Sequence, residues 1–282
     1  MKRREFVQNA VAAAGMLSLP LFLEACKEKR GLGLQLYTLR DTIDKDPKGV
    51  LDKISVFGYT KLETNGYANG KIYGMDFQEF VKYAKGLGMK VTSGHYGLDK
   101  IKGDTWQQAV DDAKEAGQDF MVMPFIEEID RISLDNYKKI CDDLNKAGEL
   151  CSKSGIRFGY HNHAFEFDKM DGEVVYDVML QELDPKYVGM EMDIFWVVNA
   201  GLDPLQYFAK YPGRFEQWHV KDMDKDDRNR NADIGTGTID FKPIFAQAKL
   251  SGMKEWYVEQ ETYPGDPIDS VAACAKFMKT IL

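Results

Sequence analysis

From residue 31 onward the chain alternates between two patterns. Short, mostly apolar runs are followed by longer stretches in which apolar residues recur at three- and four-residue spacing, the signatures of a strand and of an amphipathic helix. The short runs are LGLQLYTL (32–39), YTKLET (59–64), KVTSGH (90–95), DFMVMP (119–124), IRFGYH (156–161), YVGMEMD (187–193), RFEQWHV (214–220) and EWYVEQ (255–260). Helices are expected after them at about 46–57, 76–87, 104–116, 134–154, 174–182, 204–211, 241–249 and 268–281. Gly58, Gly88, Gly117, Gly155 and Gly252 each stand just before a strand, where a helix C-cap favours glycine. Eight strand–helix units without a linker, in roughly the 250 residues such folds need, predict an α/β protein of the (β/α)8 TIM-barrel type. A doubly wound sheet has the same alternation and is the competing architecture.

The first 26 residues break the pattern. MKRREFVQNAVAAAGMLSLPLFLEAC opens on Lys2, Arg3 and Arg4 and continues with an apolar run from about Val11 to Leu23, interrupted by Pro20. That run is too short for a comfortable membrane span. Residues 1–25 read as an export signal peptide of the twin-arginine kind. Leu23-Glu24-Ala25-Cys26 is similar to a lipobox, which would leave Cys26 as a lipidated N-terminus; Glu24 is unusual there, so cleavage without lipidation stays open. Residues 26–31 form a short linker, and 32–282 a single barrel domain. The expected location is periplasmic or membrane-anchored, with membrane contact only through the lipid.

A net charge of -8 argues against nucleic acid as a partner and suits a small polar ligand or a cation. Cys141 and Cys151 fall on one expected helix, about 15 Å apart along its axis, beyond disulfide reach. With Cys274 they are expected to be packing thiols.

Catalytic residues of a barrel stand at the C-terminal ends of its strands. Those ends carry Gln35 and Tyr37, Glu63, His95, His161 and His163, Asp193, His219 with Lys221 and Asp222, and Glu259 with Glu261; all 4 histidines are among them. Carboxylate and imidazole without thiolate is the ligand chemistry of Mn2+, Mg2+, Co2+ or Zn2+. Several buried carboxylates also need a cation or a shared proton. Asp193 and His219 are the first metal candidates because each ends an otherwise apolar strand, and Glu259 is the next. Glu261, two residues on, shares its face. The competing reading of Asp193 is a cap of the helix that follows it.

GYTKLE (58–63), HNHAFEF (161–167), EMDIFWVVNAG (191–201), WHVKD (218–222), DIGTGTIDF (233–241) and WYVEQE (256–261) together resemble the sugar phosphate isomerase/epimerase-like proteins with a xylose isomerase-like barrel. The resemblance covers nearly the whole chain after the export segment. It implies one divalent cation held by a Glu on strand five, an Asp on six, a His on seven and a Glu on eight. Asp193, His219 and Glu259 match the last three. Strand five departs from the pattern: Tyr160-His161-Asn162-His163 offers no carboxylate until Glu166. In the epimerases the glutamates of strands five and eight also exchange the substrate proton, which gives Glu259 a catalytic role beside its ligand role.

On an extended strand His161 and His163 share a face, so either is a ligand and the other the acid/base; the working assignment puts His163 on the metal and His161 in catalysis. Glu63 and His95 are expected at substrate hydroxyls or in proton transfer, and Lys221 at a developing oxyanion. Trp196 and Trp218 are stacking surfaces for a sugar or members of the core, and Glu261 is a further substrate contact. Gly235-Thr236-Gly237 lies where barrels often hold phosphate, although a short Gly-x-Gly is also an ordinary turn.

The expected activity is isomerisation or epimerisation of a sugar or keto-sugar by α-proton abstraction, helped by one divalent cation. An exported enzyme meets few sugar phosphates, so a neutral sugar, keto-sugar or glycoside is the expected substrate. A keto-glycoside lyase or hydratase on the same site, abasic-site endonuclease chemistry and a non-catalytic sugar-binding lipoprotein are the competing readings. The acidic charge and the export signal speak against the endonuclease.

Overall fold

The computed structural model describes residues 31–281; the expected export signal, Cys26 and the linker up to residue 30 lie outside the described residues. Eight parallel strands form one sheet: β1 (Leu32–Gln35), β2 (Tyr59–Thr64), β3 (Lys90–Gly94), β4 (Phe120–Met123), β5 (Arg157–His161), β6 (Val188–Asp193), β7 (Phe215–Val220) and β8 (Glu255–Val258). The principal helices are α1 (Pro47–Val56), α2 (Phe77–Gly86), α3 (Trp106–Ala116), α4 (Leu134–Lys153), α5 (Val175–Glu182), α6 (Pro204–Lys210), α7 (Phe241–Ala246) and α8 (Pro267–Ile281).

The strands pair in the order β3-β2-β1-β8-β7-β6-β5-β4. A single parallel bridge from His95 to Val122 joins the two ends, with the Tyr96 amide donating to the Val122 carbonyl at 2.8 Å. The sheet is therefore a nearly closed barrel. A doubly wound sheet would not pair its first strand with its last, as Leu34 and Val258 do here. The five glycines expected at helix ends all have positive φ, from 73° at Gly117 to 90° at Gly58. Among the described residues no helix is long and apolar enough to cross a membrane.

Alternation divides each strand between two surroundings. Leu34, Leu62, Phe158, Met190, Met192, Trp218 and Trp256 are buried. Trp218 stacks on Phe208 of α6 at 5.0 Å and meets Phe245 of α7, so these apolar alternates seal the helices onto the barrel. The other face is polar. Tyr257 spans the interior to share a hydrogen bond with Thr92 (2.8 Å), and Gln217 donates to Ser93 at 3.0 Å. Such large side chains fit because Gly33 faces them: a Cβ there would stand 2.8 Å from the Tyr257 ring and collide with the Trp256 carbonyl.

Two expectations are revised. Residues 36–39 form a 3-10 turn and not the end of β1, because the Gln35 side chain accepts from the Tyr37 amide and caps that turn. A six-residue helix, Ile194–Asn199, follows β6 directly, started by Asp193 Oδ1 accepting from the Trp196 amide at 3.1 Å. Cys141, Cys151 and Cys274 are free and buried, as packing thiols should be.

Candidate active site

Register brings the polar strand ends to one level. Gln35 is paired with Glu63, His161 with Glu191, and Asp193 with His219. Gln35 Nε2 donates to Glu63 Oε2 at 2.8 Å and fixes that carboxylate against His219, whose Nε2 lies 2.5 Å from the same oxygen. His219 Nδ1 is 2.7 Å from Glu259 Oε2. His95 and His161 both reach Glu191 Oε2, at 2.8 and 3.1 Å, and His161 Nε2 stands 3.6 Å from Asp193 Oδ2. The buried Lys221 ammonium lies 2.8 Å from Asp193 Oδ2 and 2.6 Å from Glu259 Oε2. Glu63, His95, His161, Asp193, His219, Lys221 and Glu259 thus converge on one volume at the mouth of the barrel.

Glu191 completes this set and was not foreseen. It is fully buried and touches three imidazoles, His95, His161 and His219. The two-residue alternation that marks Asp193 places Glu191 on the same face of β6, which is the signal that identifies it.

Burial and mutual charge set the protonation pattern. Burial alone would depress His95, but Glu63 and Glu191 overrule it and raise its pKa to about 9. His219 is raised in the same way, against burial, by Glu191, Glu259 and Glu63. Burial pushes His161 well below its ordinary value, and the positive neighbours push it further, so its imidazole is neutral. Asp193 is pushed up to about 6 by burial, which Lys221 and His219 only partly offset. Glu63 is held well below the usual carboxylate range by His95 and His219 in spite of its burial.

This donor set fits a divalent cation. One ligand atom from each of Asp193, His219 and Glu259 lies within 4.8 Å of the others, and the same holds for His95, His161, Glu191 and His219. Glu63 Oε1 and Glu191 Oε1 are buried without a hydrogen-bond partner, as oxygens awaiting a cation or a substrate hydroxyl would be. A cation would replace the positive charge that His95 and His219 otherwise carry as protons.

The remaining expected residues lie around this centre. β5 ends at His161, so strand alternation does not extend to His163. The His163 ring packs at 5.1 Å from His161, against Phe125, Phe165 and Trp196, and belongs to neither of the two ligand groups above. Trp196 is half-buried at the rim, with the Lys221 ammonium 6.0 Å from its ring. Trp218 is fully buried on the helix side of β7. Glu261 lies outside Lys221, 2.6 Å from its ammonium. The amides of Gly235 and Gly237 donate to Asp222 Oδ2 at 2.9 and 3.0 Å, and those of Met223 and Ile239 to Oδ1 at 2.8 and 3.0 Å. The loop suspected of holding phosphate is filled by the chain's own carboxylate.

Comparison with known proteins adds four findings. A family model described as xylose isomerase-like TIM barrel matches residues 51–281. A sugar phosphate isomerase/epimerase from Parabacteroides distasonis ATCC 8503 is 30% identical, with a TM-score of 0.78 over 89% of this chain and 98% of that one. An inosose dehydratase of Geobacillus thermodenitrificans (strain NG80-2) is 25% identical over 178 residues, 56% of this chain; the match spans 59% of the dehydratase's own length. A zinc-bound IOLI protein shares the fold at 14% identity, with a TM-score of 0.70 over 89% of this chain and 97% of that one.

Proposed function

Because the chain belongs to the xylose isomerase-like TIM barrel family, we propose that it is a divalent-cation enzyme that removes the proton α to the carbonyl of a keto-sugar derivative. Asp193, His219 and Glu259 would hold the cation, which when bound draws electron density from the carbonyl and so lowers the cost of an enediolate. The observation that carries the reading is the Glu191–His161 pair. With Nδ1–H directed at Glu191 Oε2 (3.1 Å), the neutral imidazole keeps the Nε2 lone pair free to accept a proton. The carboxylate fixes tautomer and ring orientation, as the acid of a catalytic triad does. Glu63, oriented by Gln35, and His95 are placed to meet substrate hydroxyls. Lys221 supplies positive charge where oxyanion character develops, and Trp196 offers an apolar face to the ring.

Returning the proton to the other face, or to the neighbouring carbon, gives an epimer or an isomer. Expelling a β-hydroxyl or glycosidic oxygen gives a dehydratase or lyase. The second outcome is supported by relatives named inosose dehydratase and by the imidazole that stands where a two-glutamate epimerase has its strand-five carboxylate. Metal analysis followed by incubation with inosose and a panel of keto-sugars in D2O tests the reading. Deuterium is expected at the α carbon, with no incorporation by His161→Asn or His219→Asn protein, and the product spectrum separates epimer from dehydrated ketone. Protein with neither metal nor exchange overturns it.

We also propose that the enzyme acts outside the cytoplasm on an unphosphorylated sugar. The N-terminal signal pattern and the filled Gly235–Gly237 loop support this. N-terminal sequencing of the protein from a fractionated cell checks it: an uncleaved cytoplasmic chain sinks the proposal.

A further inference from the structure

Lys221 does more than line the site. Its ammonium bridges two carboxylates of the proposed cation group, Asp193 (2.8 Å) and Glu259 (2.6 Å), to a third on the rim, Glu261 (2.6 Å). The lysine side chain is 1% exposed and that of Glu261 31%. Glu261 is held from both sides. Its amide donates to Asn231 Oδ1 at 2.7 Å, and its carbonyl accepts from Arg40 Nη2 at 2.7 Å. Arg40 is itself anchored by Tyr263 (2.9 Å) and lies over the Tyr37 ring. A rim carboxylate on a fixed loop therefore shares one ammonium with the two inner carboxylates.

An ammonium and a divalent cation are drawn to the same oxygens, and in a poorly screened interior they repel each other at that range. Lysine is suited to exchange partners because its head is a compact charge on a flexible stem. We propose that Lys221 and the divalent cation are alternative partners of Asp193 and Glu259, with Glu261 the rim acceptor that keeps the ammonium when the cation takes the inner pair. This rests on the assignment of Asp193, His219 and Glu259 as cation ligands. Cation loading then moves a positive charge outward to the mouth, where substrate enters, and the lysine sets the cation concentration at which the site fills. Lys221 and Glu261 thus act on the site through its cation occupancy.

The test is calorimetric titration with Mn2+ alone on the full chain and on Lys221→Met, Glu261→Gln and the double variant. Lys221→Met is expected to bind Mn2+ at least about tenfold more tightly than wild type, since the competing charge is gone. Glu261→Gln is expected to bind it more weakly, and to lose that effect in the Lys221→Met background because it acts only through the ammonium. Equal weakening by Glu261→Gln in both backgrounds means a plain charge effect and overturns the proposal. So does Lys221→Met protein that binds Mn2+ no more tightly than wild type. Lys221→Gln reads the same comparison if Lys221→Met does not fold. Wild-type protein that binds no Mn2+, Zn2+, Co2+ or Mg2+ sinks the cation assignment itself, a result distinct from the other two.

Discussion

The two ends of the barrel treat charge in opposite ways. Toward the N-terminal ends of the strands, Lys61 pairs with Glu255 (2.5 Å), Arg157 and Lys254 with Glu216 (both 2.7 Å), and Lys90 with Asp119 (2.7 Å). At the C-terminal ends, Glu63, Glu191, Asp193 and Glu259 crowd together with His95, His161, His219 and Lys221, and Glu63 Oε1 and Glu191 Oε1 are buried without a hydrogen-bond partner. At the first of these ends every carboxylate named has a lysine or arginine beside it. Four carboxylates buried beside imidazoles and one ammonium, with oxygens left unpaired, raise the energy of the folded chain and make it receptive to a cation and a polar substrate. The same eight strands carry both arrangements, so stability and chemistry are separable along the barrel axis.

Substitutions at the two ends sharpen that contrast. His219→Asn should lower kcat/KM on a responsive keto-sugar by on the order of 10^3-fold in protein whose circular dichroism still shows the folded barrel. Unchanged turnover would place the chemistry elsewhere. Stripping the protein with a chelator and restoring Mn2+ at 100 times its dissociation constant should recover about 2.7 kcal/mol of stability by mass action. Denaturant titration with and without the ion measures this, and the gain should vanish in Asp193→Ala.

At the other end, Glu216→Ala leaves Arg157 and Lys254 without their carboxylate and should cost about 2 kcal/mol of stability with turnover unaffected. A loss of activity there would break the separation. Glu166, buried in the turn just past the C-terminal end of β5, tests the second end. Burial raises its carboxyl to about 7, so its stabilising contribution is whole below the unfolded value near 4.5 and is lost as pH rises from there through 7. Glu166→Gln should therefore gain on wild type by on the order of 2 kcal/mol at pH 8 and show no gain at pH 4, as read from melts across that range. The smallest effect belongs to the exposed Lys90–Asp119 pair, where Asp119→Asn should change stability by less than about 0.5 kcal/mol.

Much of the fold was legible because periodicity, glycine at helix ends and polar strand ends all indicated the same architecture. What escaped the sequence was local. The helix at Ile194–Asn199 begins inside an apolar run, and only the side-chain cap of Asp193 separates it from more strand. The relation of His161 to His163 turns on where β5 stops, and strand ends are set by tertiary pairing, here with Glu191 across the sheet. Glu191 itself was readable by alternation from Asp193, but its importance comes from long-range contacts with three histidines, His161 on β5, His219 on β7 and His95 just past the end of β3. Lys221 is similar: its neighbours Asp193, Glu259 and Glu261 are remote in sequence, and only closure of β7 between β6 and β8 gathers them.

The loop closed on Asp222 has a consequence for the protein's history and for its engineering. Four amides already converge on one carboxylate, so the geometry of an anion receptor is built and plugged from within. Asp222→Gly would unplug it, and added phosphate or formate should then restore the stability that the substitution removes, a chemical rescue visible as a rising melting temperature. Along this stretch of backbone, a single substitution is expected to turn a plugged anion receptor into an open one.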